Sequence, residues 1–257
     1  MDLQLTGKRV LVTGASKGIG LAAAQAFQRE GAQVAINSSS PQNLQSARRA
    51  LQGGCLVLAG DLGVPSDVDC VFDELEQQWG GLDILVNNAA LMLRTPLLEA
   101  DVEQWDKIMN TNLRGPFLCA QRAARLMLAQ DGGVIINTSS NAAKMPVYGA
   151  GIYAAAKGGL NTLTMALAGE LAPYGVRVNG YMPGLVVTEQ SMSSKDAANE
   201  AERLRPVALR RYGTPEEMAQ VVLFLASPMS SYLTGELITA NGGKYAIQNP
   251  WKGWEPL

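Results

Sequence analysis

The sequence predicts an α/β fold: a doubly wound parallel sheet of about seven strands with helices on both faces. Short, continuously apolar runs alternate along the chain with longer stretches at helical spacing. Runs of that kind suit strands buried on both faces, as parallel sheets with right-handed crossovers require. Hydrophobic residues make up 47% of the 257 residues and charged ones 17%, enough for a large core and unlike a disordered chain. No Pro/Ser-rich linker, charge block or shift of composition divides the chain, so a single domain over 1–257 is expected.

Residues 8–13 (KRVLVT) form a β-branched run stopped by Gly14, and the Ala-rich stretch 19–30 has helical spacing before Gly31 ends it. The unit repeats. Strand 33–37 precedes helix 41–51 and strand 55–59 precedes helix 65–79, each helix opening on a proline whose missing N–H costs nothing there. Residues 82–87, 134–139 and 176–182 are further apolar strands, separated by helical stretches around 102–129 and 153–171, and 236–240 is the last strand. The small, polar start of 191–205 reads as a mobile loop and short helix over a site, or equally as a solvated surface helix.

Lys and Arg number 21 against 23 Asp and Glu, a net charge of −2, too balanced to neutralise a row of phosphates or hold an anionic membrane surface. Neither nucleic acid nor membrane is expected as a partner. The start MDLQLTGKRV lacks a basic segment followed by an apolar one, and no apolar run reaches the ~18 residues that span a bilayer. Cys55, Cys70 and Cys119 stand apart without a C-x-x-C pair, so a reducing, cytoplasmic setting is expected. The chain has no histidine, which excludes Ser-His-Asp hydrolases, Cys-His nucleophiles and the usual zinc sites. Its chemistry must use other acids and bases, and no metal is expected.

Residues 13–20 (TGASKGIG) place glycines at G-x-x-x-G-x-G between the first strand and helix. Gly14, Gly18 and Gly20 allow a tight turn, close approach of a pyrophosphate and close helix–strand packing. Ser16, Lys17 and Ile19 stand at the helix N-terminus, whose N–H groups and dipole favour an anion. About 20 residues on, a fold of this kind that binds the unphosphorylated ribose carries an acid. This chain reads Asn37-Ser38-Ser39-Ser40 there. With hydroxyls at Ser38 and Ser39, Lys17 nearby and no carboxylate to repel a phosphate, NADP(H) is favoured over NAD(H). The alternative is that the serines only cap the helix beginning at Pro41.

Further along come Asn87-Asn88-Ala89-Ala90, Asn112, Ser140, Tyr153-x-x-x-Lys157 and Pro183-Gly184-x-x-x-Thr188. In order with the glycine loop, these motifs resemble the short-chain dehydrogenase/reductase family across residues 7–243. The resemblance implies a Rossmann-type domain with a cofactor half to about residue 130, a catalytic and substrate half over 131–243, and a tail over 244–257. It implies Tyr153 as general acid/base, Lys157 as its activator and ribose anchor, Ser140 as donor to the substrate carbonyl, and Asn112 as holder of a relay water. By the same kinship Asp61 and Leu62 contact adenine, Asn88 and Ala89 line the cofactor, and Thr188 with Pro183, Gly184 and Val186 holds the nicotinamide carboxamide. Hydride transfer between nicotinamide and a carbinol carbon follows, with Tyr153 moving the hydroxyl proton. Dimers and tetramers built from helices 102–129 and 153–171 are the family's usual states, and a homotetramer is expected here.

Spacing makes these roles chemically sensible. Residues four apart on a helix share a face at about 5–6 Å between Cβ atoms, so an ammonium at 157 can bias a phenol at 153. Bringing a phenol from near 10 to neutral pH takes roughly 3–4 kcal/mol, which a cation at ~4 Å supplies at an effective dielectric near 20. Ala90, Asn241 and Tyr181 depart from the family's commonest residues, and Tyr181 is most simply a packing residue. Substrate is expected above Ser140 and Tyr153, against 91–94, 141–148 and 185–192, with Asn141, Tyr148, Leu185 and Met192 among its contacts. Met92, Met145 and Met192 suggest an adaptable apolar pocket, unless they are core filler, and Arg94, Lys144 and Tyr148 are polar handles. A ketone or secondary alcohol with an apolar or cyclic body is therefore preferred as substrate. Trp251 and Trp254 in the tail are expected to dock on a neighbouring subunit. The competing readings are an enzyme of the same fold using NAD(H), and a catalytically silent cofactor-binding regulator. A regulator would be marked by a broken Ser-Tyr-Lys set, which this chain keeps whole. Epimerisation or enoyl reduction is the third, disfavoured by the intact Ser140 and Y-x-x-x-K spacing.

Overall fold

The computed structural model describes residues 2–130, 132–188, 197–244 and 246–253. Its strands are β1 (Arg9–Val12), β2 (Gln33–Ser38), β3 (Cys55–Ala59), β4 (Ile84–Asn87), β5 (Gly133–Thr138), β6 (Val176–Pro183) and β7 (Leu237–Ala240). They form one seven-stranded sheet in the order β3-β2-β1-β4-β5-β6-β7, and every pairing is parallel. The predicted doubly wound architecture is present. Helices α1 (Gly18–Arg29), α2 (Pro41–Ala50), α3 (Pro65–Trp79), α4 (Val102–Met109), α5 (Gly115–Leu128), α6 (Gly151–Leu171), α7 (Ala197–Leu204) and α8 (Pro215–Ala226) supply the crossovers and cover the sheet.

The period-2 alternation of each strand divides its side chains between two cores. Val10 and Val12 of β1, with Ile36 and Val86, meet Phe27 of α1 and Val222 of α8 on one face. Leu11, Ala35 and Leu85 turn the other way, onto Phe72 of α3 and Cys119 and Ala123 of α5. Because the strand order reverses between β1 and β4, the crevice at their carboxyl ends is the switch point where such sheets bind ligands.

The helical stretch expected over 102–129 runs from Val102 to Leu128 without a break and contains a π-helical turn, Asn110–Arg114, between α4 and α5. Pro116 has no N–H to give to the residue one turn back, and the Gly115 N–H bonds Asn110 O instead, widening the coil by one residue. Gly115 lies so close to Leu62 that an added Cβ would stand 2.6 Å from the Leu62 carbonyl oxygen. Among the described residues no helix is long and apolar enough to cross a membrane.

Candidate active site

The turn after β1 is held open by Gly14 and Gly18, whose φ values of 59° and 55° favour glycine. A Cβ on Gly14 would come within 2.6 Å of Ala89 Cα, and one on Gly20 within 2.5 Å of both Asn88 Nδ2 and Gly14 O. The loop is locked to the end of β4. Asn88 Nδ2 donates to Thr13 O at 3.0 Å and Gly14 O at 3.2 Å, while Thr13 Oγ1 accepts from the N–H groups of Asn88 and Ala89.

A cavity of about 440 Å³ opens over this turn. It is lined by Gly14, Ser16, Lys17, Gly18 and Ile19, by Ser38 and Ser39 at the end of β2, by Asp61 and Leu62, and by Asn88, Ala89 and Thr188. Gly20 is not in its wall but packs α1 against β4, and Asn43, Lys107 and Thr111 are lining residues that sequence reasoning missed. Ser38, Ser39 and Ser40 all line the cavity, and Ser40 Oγ also caps α2 by accepting from Asn43 N. No carboxylate stands on the β2 rim, and Asp61 Oδ1 is turned to the Gly63 N–H at 2.9 Å.

A second cavity, of about 480 Å³, shares Ile19 and Thr188 with the first and holds Ser140, Asn141, Tyr153, Pro183, Gly184, Leu185 and Val186. Strand β5 ends at Thr138 and delivers Ser140, whose Oγ accepts from Ala142 N at 3.1 Å and caps the short turn Asn141–Ala143. Tyr153, in the first turn of α6, lines the same cavity as Ser140. One turn later Lys157 is 1% exposed, its Nζ donating to Thr138 O at 2.8 Å and lying 5.8 Å from the centre of the Tyr153 ring. Thr138 thus ties β5 to the lysine, and its hydroxyl donates to the buried Tyr181 at 3.3 Å, which makes Tyr181 the packing residue its position suggested.

The expectation that the ammonium lowers the phenol is reversed in this site. Burial pulls Lys157 down to about 7 and pushes Tyr153 above its ordinary value, with the nearby Ser140 hydroxyl opposing the rise. A lysine titrating there carries about half a charge at neutral pH, so its field on the phenol is weakened by the same desolvation that raises the phenol. An ultraviolet difference titration of the wild-type protein against Tyr153→Phe, without nicotinamide, is therefore expected to show no tyrosinate step below pH 10. A step near neutrality would mean that the lysine field wins.

Asn112 is fully buried. Its Nδ2 donates to Leu91 O at 2.7 Å and Ile108 O at 2.9 Å, and Oδ1 accepts from Leu91 N at 3.2 Å. One amide donor and Oδ1 pin the loop after β4 to the π-helical turn and the second donor is spent on Ile108 O of α4, which leaves one lone pair of Oδ1 for any relay water.

A family model described as Enoyl-(Acyl carrier protein) reductase matches residues 14–244. The 3-oxoacyl-[acyl-carrier-protein] reductase of Vibrio cholerae serotype O1 is 37% identical over 245 residues, 95% of this chain and 100% of the relative. The protein of the same description from Staphylococcus aureus is 35% identical over 242 residues, 93% of this chain and 98% of the relative. A solved short-chain type dehydrogenase/reductase from Mycobacterium marinum superposes with a TM-score of 0.90 at 36% identity, covering 96% of this chain and 98% of that one. The chain belongs to the short-chain dehydrogenase/reductase family. It is an oxidoreductase of the class acting on CH–OH and C=O groups.

In this short-chain dehydrogenase/reductase the substrate-side wall differs in detail from the expected one. Tyr148 is 86% exposed and, with Lys144, stands outside the second cavity, while Met192 and Trp254 lie outside the described residues. Trp251 packs within its own chain, its ring 4.3 Å from the Arg205 guanidinium, so its apolar area is partly covered without a neighbour. The short helix expected over the site is α7, which brings Arg203 to the cavity. Arg203, Tyr212 and Lys244 were missed as lining residues; no motif marks them, and only the fold brings them to Ser140. Asn241 is structural: its Oδ1 accepts from the N–H groups of Gly243 and Lys244, and its Nδ2 donates to Asn141 Oδ1 at 3.4 Å.

Proposed function

We propose that the chain is an NADP(H)-dependent oxidoreductase that moves a hydride between nicotinamide and a ketone or secondary alcohol with an apolar or cyclic body. The observation that carries this is that Ser140 and Tyr153 line one cavity, which continues into the glycine cradle. Two cavities meeting at Ile19 and Thr188 suit the two halves of a dinucleotide, and a side chain at Gly18 would fill the gap toward Thr188, whose Cγ2 lies 3.4 Å from the added Cβ. The N–H groups opening α1 favour the pyrophosphate, and Pro183, Gly184 and Val186 are available to the carboxamide. Bound nicotinamide supplies the hydride and nothing of the proton chemistry.

Tyr153 gives its hydroxyl proton to the oxygen of the reduced carbonyl, or takes it back in the reverse direction. Ser140 donates to that same oxygen as charge builds on it. Lys157, anchored on Thr138, stands one turn below as the nearest buried amine and shares the cost of any charge on Tyr153. Met92 and Leu185, with the exposed Met145 and Val147, offer an apolar body a surface to pack on. A single domain carries both halves. The exposed Val102, Trp105, Phe117 and Met165, with a cavity of about 360 Å³ between Met109, Leu113, Phe117 and Leu163, support assembly through α4, α5 and α6 into a homotetramer.

Purified protein given ketones and secondary alcohols with each cofactor should change the absorbance of the reduced nicotinamide. No change with any compound would end the reading, and a higher kcat/KM with NAD(H) across the set would end the cofactor preference. Ser38→Asp puts a carboxylate on the β2 rim and can still accept from Ser40 N as Ser38 Oγ does. It is expected to shift the NADP/NAD ratio of kcat/KM toward NAD by about 10–100-fold through like-charge repulsion.

A further inference from the structure

The face of α6 that meets the end of β5 is polar where an apolar ridge would have served. Lys157, Asn161 and Thr164 follow one another along it at helical spacing, and each is bonded to one of three successive residues, Asn137, Thr138 and Ser139. Asn137 Nδ2 donates to Thr164 Oγ1 at 2.9 Å, and Thr138 O accepts from Lys157 Nζ at 2.8 Å. Ser139 Oγ donates to Asn161 Oδ1 at 2.5 Å, with Lys157 O a second acceptor at 3.5 Å. The other end of the Asn161 amide is turned to Met182 Sδ of β6 at 3.8 Å. Ser139 is 2% exposed, so its bond is sealed from water. Apolar packing is non-directional and survives a small slide of a helix along a sheet. A hydrogen bond does not: a slide of one residue, about 1.5 Å, breaks it and leaves buried polar groups unpaired. The helix is also weak at this place, because Gly158 and Gly159 stand between Lys157 and Asn161 and glycine is the poorest helix former after proline. A Cβ on Gly158 would meet nothing within 4 Å, so close packing does not require that glycine.

We propose that Ser139 and Asn161 are positioning residues for the oxidoreductase reaction: their buried bond fixes where α6 lies along β5, and with it where Tyr153 and Lys157 stand relative to Ser140. The inference rests on the roles given above to those three residues. Neither Ser139 nor Asn161 lines the substrate-side cavity, and Asn161 stands eight residues beyond Tyr153, about 12 Å along the helix. They act through the backbone. Ser139 precedes Ser140 directly, so the strand end that presents the donor to the substrate also holds the helix that presents the acid. The bond from Lys157 to Thr138 cannot do this alone, since a flexible four-carbon stem follows a sliding backbone, whereas the short side chains of Ser139 and Asn161 cannot.

Ser139→Ala and Asn161→Leu each remove the bond, while Ser139→Thr keeps the hydroxyl. With a ketone that the wild-type protein reduces, each removal is expected to lower kcat about tenfold and to leave KM for the ketone within about threefold, because the binding surface is untouched and the reacting geometry is not. Ser139→Thr should bring kcat back to within about threefold of the wild-type value. The double variant Ser139→Ala/Asn161→Leu should be no slower than the slower single one, since both substitutions break the same bond. If Ser139→Ala does not fold, Asn161→Leu, at a half-buried position, gives the split between kcat and KM by itself. A lower melting temperature with kcat unchanged would mark a bond that serves stability alone and overturns the proposal, as do effects on kcat that multiply in the double variant. Failure of the wild-type protein to reduce any ketone strikes the oxidoreductase reading instead. The placement of the helix is then read from crystal structures of the wild-type protein and Asn161→Leu: displacement of α6 along its axis by about 0.5 Å or more against β5 upholds the inference, and coincident helices overturn it.

Discussion

Replacing Tyr153 with Phe is expected to lower kcat for ketone reduction by about 10²–10⁴-fold, the range a positioned general acid contributes, and to leave nicotinamide affinity within about twofold. The ring would stay where it is, packed on the cluster of Ile108, Ile152 and Ala156, so the substitution removes one oxygen and its proton without opening a void. What is lost is the proton donor next to Ser140. Ser140 can polarise the carbonyl but is a poor source of a proton, its hydroxyl being far less acidic than the phenol. Single-turnover measurements with reduced cofactor separate the chemical step from product release, and cofactor binding is titrated independently. A loss of less than about tenfold would place the proton donor elsewhere, outside what a single positioned acid supplies. Lys157, pulled to about 7, would then be the first group to consider.

Most of the fold, and the pairing of Tyr153 with Lys157 on one helix, were legible because both are written in local terms. An apolar run such as Val10–Val12 can hardly be other than a buried strand, and Gly14 and Gly18 mark the turn after it because few other residues accept their φ. Tyr153 and Lys157 lie one helical turn apart, so a spacing in sequence is already a geometry. What stayed hidden depends on contacts between distant segments. The π-helical turn over Asn110–Arg114 follows from Pro116 but needs Gly115 pressed on Leu62 and Asn112 strapped to Leu91, both of which come from other elements. Arg203 and Lys244 reach the cavity only because α7 and the turn after β7 fold over it. The direction of the Tyr153 shift was misread for the same reason. Distance along a helix supplies the Coulomb attraction, whereas the opposing desolvation depends on everything packed around the pair.

That desolvation leads to the second large effect, in which loss of function and gain of stability coincide. Lys157→Met is expected to reduce turnover by about 10²-fold or more, since it takes the buried amine from beside the acid, yet to raise the stability of the protein by about 1–3 kcal/mol near pH 6 to 7. A lysine whose folded value is about 7 against 10.5 in the unfolded chain costs the fold close to 5 kcal/mol where both states are protonated. Met refills the space, but the Thr138 carbonyl loses its donor, which returns about 1–3 kcal/mol of that gain. The sign follows from proton counts. Between pH 7 and 10.5 the unfolded chain holds the proton that the folded one has released, so the wild-type protein gains stability as pH rises across this window and the cost of its lysine fades. The variant lacks that gain. Its advantage in thermal melting should be largest at and below pH 7, shrink steadily above it and change sign near pH 10, where a neutral lysine still donates to Thr138 and Met cannot. Melting curves of both proteins at unit steps from pH 6 to pH 10 decide it. A constant difference across the range would show that Lys157 keeps an ordinary ammonium in the fold, and a variant less stable at every pH would show that the amine is held by more than Thr138.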